Sequence, residues 1–134
     1  MNQLPFHNQN IAFINPPPSR INTDLPILMK LNESYKLWHG FLIHLPRLTR
    51  FTLGTKIDNL FTDCLELSLL AGYTSKIEKV GTVQKLSTKF DALKFFLKVA
   101  WELKALDTNK YTTLSNSLTP IGKMIGGWLN MFKT

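Results

Sequence analysis

Four runs of apolar residues, spaced alternately three and four positions apart, constrain the fold of this chain more than any other feature. The runs extend from Leu28 to Leu45, from Leu53 to Ala71, from Leu86 to Ala100 and from Tyr111 to Phe132. Such spacing places the apolar side chains on one face of an α-helix. Four amphipathic helices joined by short connections predict an all-α fold, an up-down-up-down four-helix bundle.

Proline, glycine and capping residues predict where these helices begin and end. Pro26 suits the first turn of the first helix, and Pro46 ends that helix. Gly72 is placed to end the second helix. The third helix is expected to begin near Ser75 and to end near Leu106.

Pro120 conflicts with the pattern of the fourth helix. A proline inside a helix lacks the backbone N–H group and crowds the carbonyl group four residues earlier, here that of Asn116. The sequence therefore predicts either a kink at Pro120 or a fourth helix whose regular part begins near Thr119.

The first 24 residues differ in composition from the rest of the chain. They are rich in Asn and Gln and include a proline triplet at positions 16–18, which forbids helix and favours extended geometry. We expect residues 1–24 to form a disordered or extended N-terminal arm, with docking on a neighbouring surface as the alternative. Residues 25–134 then form the four-helix bundle domain.

The chain is strongly basic. Sixteen Lys and Arg residues against nine Asp and Glu residues give a formal net charge of +7, with an isoelectric point of about 9.7. This excess favours a polyanionic partner, and charge alone does not choose among nucleic acid, an acidic protein and an anionic membrane. A merely solvated basic surface is the alternative to all three.

Two groups of basic residues are the candidate contacts for such a partner. The corner before the second helix carries one group and the third helix carries the other, and together they comprise Arg47, Arg50, Lys56, Lys85, Lys89, Lys94, Lys98 and Lys104. Backbone N–H groups at a helix start would add to the attraction of the corner for phosphate. Lysines without exposed aromatic residues between them favour salt-sensitive phosphate contact over base recognition.

The third helix carries a second apolar stripe. Phe95, Val99 and Leu106 are predicted to face away from the core side of this helix, and one bundle cannot easily bury both faces. The stripe therefore predicts an exposed patch or an oligomer interface, and self-association is favoured over the alternative of one wide core.

Residue patterns typical of catalysis or metal binding are not found. His39 and His44 are five residues apart, so they lie on different sides of a helix, and Asp63 and Glu66 lack the Glu-x-x-His pattern of a bundle di-iron site. Cys64 has no partner for an internal disulfide and is predicted to be buried, as suits a reducing cytoplasm. We therefore expect no enzyme activity, cofactor, metal or membrane span; an unrecognised enzyme using Asp63 or Glu66 as an acid is the alternative.

Three stretches carry a family resemblance. They are LPRLTRFTLGTKIDNLF, LKFFLKVAWELKAL and LSNSLTPIGKMIGGWLN, and their most specific parts are the Arg-Phe-Thr-Leu-Gly corner at 50–54 and the Ile-Gly-Gly-Trp segment at 125–128. Over residues 25–134 the chain resembles the accessory variability determinant (Avd) proteins of diversity-generating retroelements. That family belongs to a wider set of four-helix bundle proteins, which includes those encoded by intervening sequences in ribosomal RNA genes.

The resemblance implies a role that the residue patterns alone do not. It implies a cytoplasmic, non-enzymatic partner of the retroelement reverse transcriptase, in the form of a barrel-like homopentamer. Its basic surface would contact the enzyme and the template RNA and support error-prone copying into cDNA. The alternative is an interaction module of the ribosomal intervening-sequence type, without a reverse transcriptase partner.

Overall fold

Four helices, antiparallel in sequence order, make up the bundle. The computed structural model describes residues 25–132, and its helices are α1 (Pro26–Leu42), α2 (Thr55–Ala71), α3 (Lys76–Glu102) and α4 (Thr108–Asn130). Each helix packs against the next, and α4 packs against α1, which closes the ring. Residues 25–132 contain no β-strand, so the predicted all-α bundle is confirmed. The predicted N-terminal arm lies outside the described residues.

Most of the predicted helix ends are confirmed. Pro26 occupies the first position of α1, and Gly72 follows α2 directly. Ser75 caps α3, its Oγ atom accepting a hydrogen bond from the Glu78 backbone N–H group at 3.4 Å. A side-chain oxygen at this position satisfies one of the N–H groups that have no partner within the helix.

The corner between α1 and α2 is itself helical. An α-helical turn at Arg47–Thr49 continues into a π-helical turn at Arg50–Gly54, which leads directly into α2. Gly54 is buried here, and a Cβ atom at this position would lie 3.0 Å from the Cδ1 atom of Leu42. A methyl group there would therefore require the Leu42 side chain to shift.

The core is one continuous apolar cluster with contributions from all four helices. The five residues of the predicted α3 stripe are all buried: Leu86, Phe90, Leu93, Leu97 and Ala100. In α1 the buried face contains Leu31 and Trp38 of the predicted stripe, with Ile27 and Ser34 in place of Leu28 and Tyr35. Cys64 is fully buried in the same cluster, as predicted.

Helix α4 is continuous across Pro120. Its first residue is Thr108, and the Asp107 side chain caps it by accepting a hydrogen bond from the Lys110 backbone N–H group at 2.8 Å. The alternative in which the regular helix begins near Thr119 is therefore wrong. Beside Pro120, the Ser34 hydroxyl of α1 donates to the Ser117 hydroxyl at 3.0 Å and so joins α1 to α4.

Candidate nucleic-acid and partner interface

The structure separates the α3 lysines into two pairs on different sides of the helix. Lys85 and Lys89, the first lysine pair, line a groove between α3 and α2. Lys94 lines a groove between α3 and α4, and Lys98, one turn later, shares that face; these two form the second lysine pair. The candidate lysines of α3 therefore do not form a single surface.

Carboxylates partly offset the first lysine pair. The Nζ atom of Lys89 lies 3.2 Å from a carboxylate oxygen of Asp63 on α2, and Glu66 lines the same groove. Both partners of the ion pair are substantially exposed, and such pairs contribute about 0.2–1 kcal/mol. This groove is thus mixed in charge, and a phosphate entering it would compete with Asp63 and Glu66.

The second lysine pair lies in a more positive groove. Lys123 of α4 lines the same groove as Lys94, and the cavity between them has a volume of about 410 Å³. Lys94 does pair with Asp91, at 3.6 Å, but both side chains are largely exposed and on one helix. The groove between α3 and α4 is therefore the more positive of the two.

The three basic residues of the corner have different surroundings. The Arg50 guanidinium group donates a hydrogen bond to the Leu45 carbonyl oxygen at 3.2 Å, and Arg50 is half-buried, so this side chain holds the turn together. Arg47 is exposed, and its guanidinium carbon lies 6.0 Å from the centre of the Phe51 ring. Lys56 is exposed within α2, with its Nζ atom 5.8 Å from the Phe96 ring centre.

Only the start of this corner offers free backbone donors. The helical chain begins at Arg47, and the N–H group of Arg50 already bonds to the Pro46 carbonyl oxygen at 2.8 Å. Arg47 thus lies beside the free N–H groups of a helix start, whereas Lys56 lies more than two turns further on. The free backbone N–H groups that the predicted anion site at the corner requires therefore lie only beside Arg47.

Two of the three residues of the predicted oligomer stripe lie outside the core cluster. Phe95 is 59% exposed, and Val99 is half-buried outside the core cluster. The placement of Leu106 on this stripe was wrong, because Leu106 is 1% exposed and belongs to the core. Helix α3 ends at Glu102, and Lys104, with a φ angle of 64°, turns the chain so that Leu106 points inward.

Exposed aromatic residues do accompany the lysines, contrary to the sequence-based expectation. Trp101 is 37% exposed and stacks on Tyr111 of α4, with ring centres 5.1 Å apart and an interplanar angle of 12°. Trp101 lies three residues after Lys98 and seven after Lys94, so the three side chains share one face of α3. That spacing is visible in the sequence, but the partner on α4 is not. Lys104, also exposed, follows in the turn after α3.

The Cys64 thiol is buried in the core. Burial, with a smaller contribution from the charge of Asp63, raises the pKa of the Cys64 thiol to about 12, and Lys89 opposes this shift only in part. Residues 25–132 contain no group of three or more His, Cys, Asp or Glu side chains placed to hold a metal ion. None of the helices in this range is both long and apolar enough to cross a membrane.

Fold and surface together define a basic four-helix bundle protein, with a positive groove between α3 and α4 and an aromatic residue standing out from α3. The chain belongs to the bAvd-like family, whose family model matches residues 27–132. The resemblance to Avd proteins drawn from three stretches of sequence is thereby confirmed. No curated protein and no solved structure shows significant similarity to the chain.

Proposed function

We propose that this Avd-like accessory protein serves a diversity-generating retroelement. In this role it binds the reverse transcriptase and the template RNA through its basic exterior and supports mutagenic cDNA synthesis without making or breaking bonds itself. The observation that carries the proposal is the family match over residues 27–132. The net charge of +7 adds to it, because only two ion pairs form among residues 25–132.

The basic surfaces divide between the two partners in this proposal. Lys94 borders the more positive groove and Lys98 follows one helical turn later, and both are assigned to the RNA, whose phosphates need an uncompensated positive surface. The mixed groove of Lys85 and Lys89 suits the reverse transcriptase, because a protein surface can offer both charges to Lys89 and Asp63. The remaining exposed candidates, Arg47, Lys56 and Lys104, lie at the end of the bundle where α1 and α3 terminate, and they extend this basic surface.

A homopentamer is the assembly that the family resemblance implies. Phe95 and Val99 lie outside the core cluster on the outer side of α3, and we assign them to the contact with a neighbouring copy. A single unpaired cysteine, Cys64, buried as a free thiol, is compatible with the cytoplasmic location proposed for the complex.

Co-expression with the cognate reverse transcriptase and template RNA tests the proposal. We expect the three components to purify together at low salt and to dissociate as the salt concentration rises, because phosphate contacts release counterions. The double variant Lys94→Glu/Lys98→Glu should lose the RNA. The control variant Lys30→Glu/Lys36→Glu changes the net charge by the same amount at two exposed positions of α1, and it should still bind the RNA.

The outcomes separate this role from the alternative. Failure to bind either partner at low salt would overturn the proposal. A protein that binds RNA but no reverse transcriptase, encoded away from any reverse transcriptase gene, would instead fit a module of the ribosomal intervening-sequence type. Equal losses in the two double variants would show that net charge, and not the α3–α4 groove, governs RNA binding.

A further inference from the structure

The groove between α3 and α4 combines positive charge with an aromatic surface. Its α3 wall carries Lys94, and Lys98 follows one helical turn later. Tyr111 lines its α4 wall and stacks on Trp101 near the end of α3. Lys94, Lys98 and Trp101 each lie three or four residues from the next, which aligns them along one face of the helix. A chain of phosphates following the lysines would therefore arrive at an indole ring.

Trp101 is held in place before any partner binds. Its Nε1–H group donates a hydrogen bond to the Thr108 hydroxyl at 3.1 Å, and its ring stacks on Tyr111. These two contacts anchor the ring at the start of α4 while 37% of the residue remains exposed. A fixed aromatic ring loses little conformational entropy when a flat ligand stacks on it.

The rest of the groove combines an apolar floor with polar groups on its α4 wall. Gly122 lets this wall lie close to α3, since a Cβ atom there would lie 3.3 Å from the Cε2 atom of Phe90. Ser115 offers a hydroxyl group and Lys123 a positive charge, whereas the Thr119 hydroxyl donates to the Ser115 carbonyl oxygen at 3.0 Å. Phosphate and ribose oxygens fit such a lining, because hydroxyl and ammonium groups donate hydrogen bonds to them.

The acidic residues nearby do not cancel this charge. Asp91 pairs weakly with Lys94 at 3.6 Å in an exposed position. Glu102 and Asp107 line the cavity beside Trp101 together with Lys104, and the Asp107 carboxylate also caps α4 by accepting a hydrogen bond from the Lys110 N–H group. Four lysines along the groove and this cavity therefore exceed three carboxylates: Lys94, Lys98, Lys104 and Lys123 against Asp91, Glu102 and Asp107.

We propose that this groove binds unpaired nucleotides of RNA, with one base stacked on Trp101 and the phosphates following Lys98, Lys94 and Lys123. The inference rests on the proposed RNA-binding function and adds to it a preference for single strands. Only an unpaired base presents its face to an aromatic side chain, whereas a duplex keeps its bases stacked inside. Lysines alone would bind a duplex at least as well, because the duplex carries more phosphate charge.

Binding of two fluorescein-labelled RNA probes tests this preference. The probes are a 12-nucleotide oligouridylate and a 12-base-pair RNA duplex, measured by fluorescence anisotropy with the full chain at two salt concentrations. We expect tighter binding of the oligouridylate. Trp101→Ala should weaken that binding roughly 5- to 150-fold, as expected for loss of one stacked base, and should change duplex binding less than about 2-fold.

Further variants separate stacking from charge. Trp101→Phe keeps a flat ring and should retain binding to within about 3-fold. Lys94→Ala/Lys98→Ala should reduce the slope of log affinity against log salt by about 1.4, because it removes two contacts with single-strand phosphates. Tyr73→Ala removes an aromatic residue that is 51% exposed at the opposite end of the bundle, and it should change nothing. Tryptophan fluorescence of the wild type should be quenched by oligouridylate, and Trp101→Phe should abolish that quenching.

The readouts distinguish failure of the groove proposal from failure of the proposed function. If the wild type binds neither probe at low salt, the RNA-binding function itself fails. If it binds both probes equally and Trp101→Ala binds as the wild type does, only the groove proposal fails. Should Trp101→Ala not fold, the quenching comparison between the wild type and Trp101→Phe decides: an equal response in both overturns the proposal.

Discussion

Asp58 supports the largest fully buried side chain of the core. Its carboxylate accepts a hydrogen bond at 3.2 Å from the Nε1–H group of Trp38, which is completely buried. Asp58→Ala leaves this donor without a partner, so we expect the free energy of unfolding to fall by about 1–3 kcal/mol. Asp58→Asn keeps an acceptor and should lose less. Urea denaturation followed by circular dichroism measures both, and equal losses would contradict a role for the hydrogen bond.

Cys64 predicts a pH dependence of stability. Burial raises the pKa of its thiol from the ordinary value of 9.0 to about 12 in the folded chain. Between these values the unfolded thiol loses its proton while the folded thiol keeps it, so the stabilisation is complete below pH 9 and is lost as the pH rises towards 12. We expect the wild type to lose about 1 kcal/mol per pH unit more than Cys64→Ala above pH 9. Urea denaturation at pH 8, 9 and 10.5 tests this, and parallel curves for the two proteins would contradict it.

Residue type alone did not determine the role of individual side chains. Arg50 and Arg47 are both arginines of the corner, yet the first bonds to the Leu45 carbonyl oxygen and the second is exposed. Leu106 is also misplaced by sequence reasoning, because the positive φ angle that redirects the chain occurs at Lys104, a residue type that gives no local signal for it. Both details are set by the local course of the backbone, in a turn of five residues and at a single positive φ angle, which the residue types do not specify.

Pro120 leaves a gap in the hydrogen bonding of α4. The helix continues from Thr108 to Asn130 although Pro120 has no N–H group to offer the Asn116 carbonyl oxygen. Pro120→Ala restores that donor and removes the steric crowding, so we expect the free energy of unfolding to rise by about 1–2 kcal/mol, the loss of the half-buried ring offsetting part of the gain.

A matched substitution in the same helix turn serves as the control for Pro120. Asn116→Ala changes an exposed side chain without altering the backbone donors, and it should change stability by only a few tenths of a kcal/mol. Chemical denaturation of both variants gives the comparison. Destabilisation by Pro120→Ala would mean that the packing of the proline ring against α1 outweighs its cost to α4.

Element-level features of this chain were largely predictable because they are local. The α3 stripe from Leu86 to Ala100 is buried as its spacing indicated, and Ser75 caps the helix as expected. The division of the α3 lysines was not predicted, because it depends on which side of α3 faces α2 and which faces α4. Trp101 has one feature of each kind. Its spacing from Lys98 can be predicted from the sequence, whereas its stacking on Tyr111 is a tertiary contact that cannot.

Charge and apolar surface occupy different sides of the whole molecule. Lys94 borders the α3–α4 groove, whereas Phe95 points outward from α3, away from the core. In the proposed complex, the first face of α3 binds RNA and the second contacts a neighbouring copy. Assembly and RNA binding are therefore separable by substitution, which gives the following prediction its control.

The oligomeric state tests the role assigned to the outer face of α3. We expect light scattering of the wild type to give five times the 15.3 kDa mass of the chain. Phe95→Glu or Val99→Glu should lower that mass, because a carboxylate buried in the interface opposes association. Neither variant should change the helical circular dichroism spectrum. Tyr73→Glu, at an exposed aromatic residue of the opposite end, should leave the assembly intact.

Leu106→Glu separates an interface effect from a folding effect. Because Leu106 lies in the core, a carboxylate there should unfold the subunit, with loss of the helical spectrum, whereas Phe95→Glu should yield folded subunits of lower mass. Folded Phe95→Glu subunits should still bind oligouridylate, since Trp101 and Lys94 lie on another face of α3. A wild type that is already monomeric would overturn the interface assignment and would leave the exposure of Phe95 without an explanation.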